Sequence, residues 1–182
     1  MSCTLTQGFQ TDCLEGLGGA KEIFLANWSD FDGGITIDDV TGMIDSLPTA
    51  TLFRYVPLKN SIEWNEVPTP NAENGTLFYA NQLTFRIGGL DYVKRKEFAL
   101  LAKAKLIAFV RLYSDKIVCV GREQGLFLSG GQWGSGKALS DFAGYEFQLS
   151  SDQASPCEYL EAYTTNPFDN FIDITVSPGY AS

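Results

Sequence analysis

The chain of 182 residues contains no histidine. That removes the commonest general base and the commonest metal ligand together. It also removes every nucleophilic arrangement that pairs Ser or Cys with His. Positive charge is scarce: 13 Lys and Arg stand against 22 Asp and Glu, a net charge of −9. A nucleic-acid-binding surface needs clustered cations, so that function class is disfavoured. No run of 18 apolar residues occurs, and no membrane span or insertion is expected. The opening MSCTLTQGFQTDCLEGLGG has neither a basic start nor an apolar stretch, so it does not read as a signal peptide. Without a secretion route, Asn27-Trp28-Ser29 and Asn74-Gly75-Thr76 read as turns rather than glycan acceptors. Four cysteines occur, Cys3, Cys13, Cys119 and Cys157, with no C-x-x-C pair, and structural zinc is not expected. A Cys3–Cys13 disulfide is conceivable, but reduced thiols in a cytoplasmic setting are the default.

What is present points to a packed domain. Hydrophobic residues make up 45% and aromatics 13% of the chain, enough for a core, and the length suits one domain over 1–182. Residues 21–28 and 51–57 read as strands, 60–67 as a pairing segment, and Asn74-Gly75 as a turn into a long strand at 76–87. Leu90, Val93, Phe98 and Leu101 recur at helical spacing behind Asp91, which suits an N-cap, so a helix is predicted over 91–104. Strands follow at 106–113, 117–121, 126–129, 145–150 and 158–163. The first is apolar enough to be buried on both faces, with Ser114-Asp115-Lys116 as its turn. In the fourth, Tyr145, Phe147 and Leu149 alternate with Glu146, Gln148 and Ser150. Asp and Gly punctuate 29–50, which reads as a long inter-strand loop, carrying a short strand at 35–37 if it projects as a hairpin. The tail 164–182, with Pro167 and Pro178, reads as an extended arm or as disordered. The architecture expected is mainly β: a sandwich or barrel of about eight strands flanked by one helix.

Motifs with chemical meaning fall short. Gly131-Gln132-Trp133-Gly134-Ser135-Gly136-Lys137-Ala138 has the G-x-x-x-x-G-K spacing of a phosphate loop. Its last position is Ala138, where a hydroxyl would hold Mg²⁺, and only one turn of helix fits before Gly144. The bland reading is a Gly-rich loop between strands. Asp30-Phe31-Asp32-Gly33-Gly34, with Asp38 and Asp39, is oxygen-rich, but the twelfth position of a calcium loop would need Glu and holds Thr41. Among 22 acidic residues no spacing selects a glycosidase pair, and no Ser-x-x-Lys stands out on the predicted helix. No enzymatic activity, cofactor or metal is expected.

Charge is segregated along the chain. Residues 1–50 carry a net −7, residues 91–122 a net +5 and residues 123–182 a net −7. One reading is a solvated helix and hairpin. The other is that copies of the chain meet acidic face to basic face, with Asp30, Asp32, Asp38 and Asp39 opposite Lys94, Arg95 and Lys96. The three cations start the predicted helix, where the dipole disfavours them by about 0.3–1 kcal/mol each.

The run Ile117-Val118-Cys119-Val120-Gly121 through Ser129, the loop Ser135-Gly136-Lys137-Ala138, and the step Asp141-Phe142-Ala143-Gly144-Tyr145 resemble virion structural proteins of the tail-tube kind from phages infecting Bacteroidota. The stretch Cys13 to Asn27, with Gly18-Gly19-Ala20-Lys21-Glu22, is similar to the start of such proteins. The resemblance covers about a third of the chain and leaves 29–75 unmatched. It implies a β-sandwich or barrel with one helix, assembled into rings, as hexamers, that stack into a tube or form a tail–head junction. One long loop would reach a neighbouring subunit. The partners implied are further copies and other virion proteins, with DNA as a non-specific passing cargo. The location implied is the virion tail, the protein being made in the host cytoplasm. An acidic wall repels phosphate, and Glu146 and Gln148 are the residues expected to face the lumen. A reading of another class is a carbohydrate- or host-surface-binding module, using Trp28, Trp64 and Trp133 as stacking platforms.

Overall fold

The computed structural model describes residues 7–9 and 17–179. Among them are eleven strands and one α-helix. A five-stranded sheet contains, in spatial order, β11 (Ile174–Ser177), β4 (Ala50–Tyr55), β1 (Ala20–Asn27), β7 (Leu106–Leu112) and β8 (Ile117–Val120). A four-stranded sheet contains β5 (Glu63–Asn71), β6 (Thr76–Gly88), β10 (Gly144–Gln153) and β9 (Phe127–Gly134). A two-residue β2 (Thr36–Ile37) pairs with β3 (Ile44–Ser46). The mainly-β sandwich with one helix expected from the sequence is the fold observed, with three more strands than anticipated.

Alternation along β1, β7 and β8 splits their apolar residues between two cores. Ile23, Leu25, Ala108, Val110, Val118 and Val120 face the second sheet. There they meet Leu83 and Phe85 of β6 and Phe147 and Leu149 of β10. Phe24, Ala26, Ile107, Phe109, Ile117 and Cys119 point the other way into a second core. The central strands are thus buried on both faces, and they read as near-continuous apolar runs for that reason.

The helix α1 (Tyr92–Leu101) closes one end of the sandwich. Phe98 makes edge contacts with Tyr145 and Phe147 at centroid distances of 4.6 and 4.8 Å. Asp91 occupies the N-cap with extended backbone, but its side chain makes no capping bond. Its carbonyl instead accepts the Tyr145 hydroxyl at 3.2 Å. The helix stops at Leu101 rather than 104 because residues 102 and 103 form a turn, with Lys103 N–H bonding Leu100 O at 3.0 Å.

The second core is covered by segments without long strands, and here the structure departs from expectation. Residues 29–50 join β1 to β4 as the long segment expected, with the short strand expected at 35–37 present as β2 in a hairpin with β3, but parts of it fold back onto the sheet. Phe31, Ile44 and Leu47 are buried in the second core, and Ile44 forms a bridge with Leu160. Residues 158–163 form no strand. Tyr159 and Leu160 make single bridges to Val118 and Ile44, which stitch β3 to the edge of β8. The tail is no extended arm over its described part. Phe168 and Phe171 enter the second core, and β11 runs parallel to β4, Ile174 opposite Ala50. Phe168 packs edge-on to Phe24 at 4.9 Å and to Phe109 at 5.5 Å. It does so with φ at 68°, a left-handed conformation that costs a bulky residue about 1–2 kcal/mol. Burial of its ring offsets that cost.

Phe168→Ala is expected to lower stability by about 3–5 kcal/mol, read as a denaturant midpoint shift at unchanged slope. A loss under about 1 kcal/mol would show that the covering layer is not part of the cooperative core.

Candidate functional site

The hairpin β5–β6 was expected from the pairing segment at 60–67, the Asn74-Gly75 turn and the strand at 76–87, but not as a functional feature. Its root is part of the second sheet, since β6 pairs with β10 from Gly88 opposite Gly144 to Tyr79 opposite Gln153. Beyond Tyr79, Thr76–Phe78 pair only with Thr69–Asn71 of β5, and residues 71–78 are all exposed. Val67, Leu77 and Phe78 are 56%, 50% and 38% exposed. Two signals announced it: the Asn74-Gly75 turn, and two prolines in β5. Pro68 and Pro70 lie on the same edge of their strand, and the ladder to β6 continues past both. Their missing N–H groups therefore face the free edge, where proline is tolerated.

A buried polar cluster fixes the hairpin root. Asn81 and Gln153 are 2% exposed. Asn81 Oδ1 accepts from Trp64 Nε1 at 3.3 Å and from the Cys157 thiol at 3.1 Å. Glu66 Oε1 accepts from Cys157 N–H at 2.7 Å, and Gln153 Nε2 donates to Cys157 Sγ at 3.3 Å. Burial, with the Glu66 carboxylate nearby, pushes the Cys157 thiol well above its ordinary value, and Cys119 is likewise raised by burial. Both are free, inert small side chains. Cys3 and Cys13 lie outside the described residues.

The residues singled out from the sequence sit in several places. Asp30 and Asp32 are exposed near the turn Trp28–Asp30, and Asp39 is exposed beside Asp38. Asp38 clamps its own turn, accepting from Val40 N–H at 2.9 Å, Thr41 N–H at 2.6 Å and the Thr41 hydroxyl at 3.0 Å. Those bonds, Thr41's first, hold its carboxyl below the usual range. Among the described residues no group of three acidic or Cys side chains is placed to hold a metal. On α1, Lys94 donates to Gly88 O at 3.2 Å, while Arg95 and Lys96 are exposed.

The phosphate-loop-like motif is half strand, because residues 131–134 belong to β9 and not to a loop. Gly131 is required there: its φ is +146°, and a Cβ would run into the Glu146 carbonyl. In the remaining loop the N–H groups of Lys137 and Ala138 donate to Asp141 Oδ2 at 2.8 and 2.7 Å. The chain's own carboxylate thus takes the donors that a phosphate would need.

Glu146 and Gln148 lie on the outer face of the second sheet. Register places Asn65, Gln82, Thr84, Gln148 and Ser150 on that face, together with the exposed Val67, Phe78 and Phe127, with Arg86 paired to Glu146 at 2.7 Å. Phe142, in the loop after β9, lies against the Arg86 end of this face, its ring centroid 5.7 Å from the guanidinium carbon. The tryptophans do not form one platform. Trp28 lies under the Lys105 ammonium, 3.1 Å from the ring centroid, Trp64 bonds Asn81, and Trp133 stacks edge-on to Tyr145 at 5.6 Å.

A concavity of about 710 Å³ is open and borders Arg111, Asp115, Lys116, Tyr159 and Tyr163. Arg111 and Asp115 on its wall are already paired. Glu22, 3% exposed, accepts from Arg54 Nε at 2.5 Å and Arg111 Nη1 at 2.7 Å. Asp115 accepts from Lys21 at 2.6 Å and Arg111 at 2.9 Å. The Lys21 ammonium and then the Arg111 guanidinium hold the Asp115 carboxyl at about 2. Such a linked set ties β4, β1 and β7 together more than it builds a binding site. Compared with known proteins, the chain matches no family model, no curated protein and no solved structure.

Because the folded value for Asp115 lies below the unfolded one of about 3.9, its pairing stabilises the fold above that value. The contribution is lost as pH falls toward 2. Asp115→Asn is expected to lower the melting temperature at pH 7, with the difference from wild type closing by about pH 2 and shrinking in high salt. A difference independent of pH would contradict the pairing.

Proposed function

We propose that the chain is a self-assembling structural subunit of a phage virion, a tail tube or tail–head junction protein forming rings around a DNA conduit. The observation that carries this reading is the uncovered outer face of the second sheet. Its middle is polar, Val67, Phe78 and Phe127 lie exposed toward its hairpin end and far edge, and it is poor in free cations: Arg86 is its paired exception. A wall past which DNA must slide needs few unpaired cations, since each one would hold a phosphate. In this reading Glu146 and Gln148 line the conduit. The basic helix packs on the opposite, inner side of that sheet through Phe98, so its cations stay away from the cargo. The sequence resemblance at 117–145 supports the same reading. So does a chain in which the chemistry-bearing motifs are used up by local structure: Asp38 and Asp141 each close their own turn.

Negative-stain electron microscopy with solution mass measurement tests the proposal. Rings or tubes of one diameter are expected, and a 20.0 kDa monomer at high concentration would contradict it. In the assembled form Gln148→Lys with Ser150→Lys is expected to keep the ring and to retain DNA at low salt. Wild-type rings that bind DNA as tightly as this variant would show that the face is not the conduit wall.

A further inference from the structure

Asn74 is the one asparagine of the chain that is followed by glycine. It stands in the turn 72–75 that closes the β5–β6 ladder, where Asn71 pairs with Thr76, and residues 71–78 are all exposed. Another side chain holds the turn. Asn71 Oδ1 accepts from the N–H groups of Glu73 and Asn74, each at 3.1 Å. The Asn74 carboxamide and the Gly75 N–H have no hydrogen-bond partner among the described residues. Gly75 has φ at +63°, and nothing lies within 4 Å of the place a Cβ would take. The peptide nitrogen that follows Asn74 is thus open both to water and to the Asn74 side chain. Other asparagines differ. Asn65 donates to Glu63 at 3.0 Å, and Asn81, 2% exposed, is bonded to Trp64 and Cys157. Where a side chain follows, as Ser61 follows Asn60 and Phe171 follows Asn170, it crowds the approach to that nitrogen.

We propose that Asn74 is a site of spontaneous deamidation, at which the hairpin turn acquires a carboxylate with no enzyme involved. The Gly75 nitrogen gives up its proton to solvent and attacks Asn74 Cγ. The N–Cγ bond forms, the Cγ–Nδ2 bond breaks, and Nδ2 takes a proton from solvent and leaves as ammonia. Nucleophile and electrophile belong to one dipeptide, so their effective concentration is high. The five-membered imide then takes up one water. Opening at one carbonyl gives aspartate. Opening at the other gives isoaspartate, whose main chain runs through Cβ. Either product places a second carboxylate beside Glu73, in a stretch with no Lys or Arg between residues 60 and 85. Isoaspartate also adds one atom to the backbone of a four-residue turn. Thr76–Phe78 pair only with Thr69–Asn71, whereas from Tyr79 onward β6 is held by β10 as well. The disturbance therefore stays at the tip and spares the sandwich.

The full chain, kept at neutral and at mildly alkaline pH and then mapped residue by residue by tandem mass spectrometry, tests the proposal. Asn74 is expected to gain about one mass unit, ammonia being lost and water gained, and to give two chromatographic products. The gain should be faster at the higher pH, because the attacking nitrogen must first lose its proton. Asn65 and Asn81 should keep their masses. Asn74→Gln should abolish the gain, since the longer side chain would have to close a six-membered ring. A synthetic peptide of residues 70–79 supplies the rate without the fold. An Asn74 that keeps its mass in the protein while the peptide gains would overturn the proposal, because the folded turn would then protect it. Equal gains at Asn65 or Asn81 would overturn it as well, because the fold would then not select the site.

Discussion

Burying both faces of one sheet is the constraint from which the rest of this architecture follows. Phe109 and Val110, adjacent in β7, each have no exposed surface yet belong to different cores. The second sheet and α1 cover one face. The other face must be covered too, since exposed Phe24, Ile107 and Phe109 would forfeit roughly 1.5–3 kcal/mol each. The cover comes from segments 28–50 and 158–173, held by Phe31, Ile44, Leu160 and Phe168. Phe31, Ile44 and Leu47 tie this cover down, while residues 39–42 between them stay exposed. Also exposed are the outer side of the second sheet and the hairpin that grows from its edge.

The sequence was most legible where one period dominated. The alternation of Tyr145, Phe147 and Leu149 against Glu146, Gln148 and Ser150 located β10 and its two faces. The unbroken apolar run at 106–113 foretold burial on both sides. In residues 29–50 the Asp and Gly density located the long inter-strand segment and its short strand β2, but not its docking, which is decided by three widely spaced anchors, Phe31, Ile44 and Leu47, that carry no period. The tail was misread. Pro167 and Pro178 suggest an arm, but Phe168 and Phe171 between them are core residues. Strand β9 was cut short because Gly130, Gly131 and Gly134 look like a loop, although Gly131 is the residue that lets the strand approach Glu146.

The acidic residues explain why site reasoning from composition is weak in this chain. Asp38, Asp141 and Asp169 each accept several local N–H groups and close a turn, which lowers the carboxyl in every case. Glu22, Glu158 and Glu146 hold arginines across strands. Motifs resembling calcium or phosphate loops therefore describe turn chemistry. The surfaces argued here to matter are polar or apolar patches defined by register, and they emerge only once β5, β6, β9 and β10 are aligned.

Hydrogen exchange tests the central claim most directly, that one sheet is buried on both faces and that both covers belong to the cooperative body. The amides of β7 should exchange slowest, with those of Ile44 and Leu160, which donate to Tyr159 O and Ile117 O in the covering layer, protected alongside them. Residues 71–78, beyond the β6–β10 ladder, should exchange rapidly. A covering layer that exchanges as fast as residues 71–78 would contradict the account.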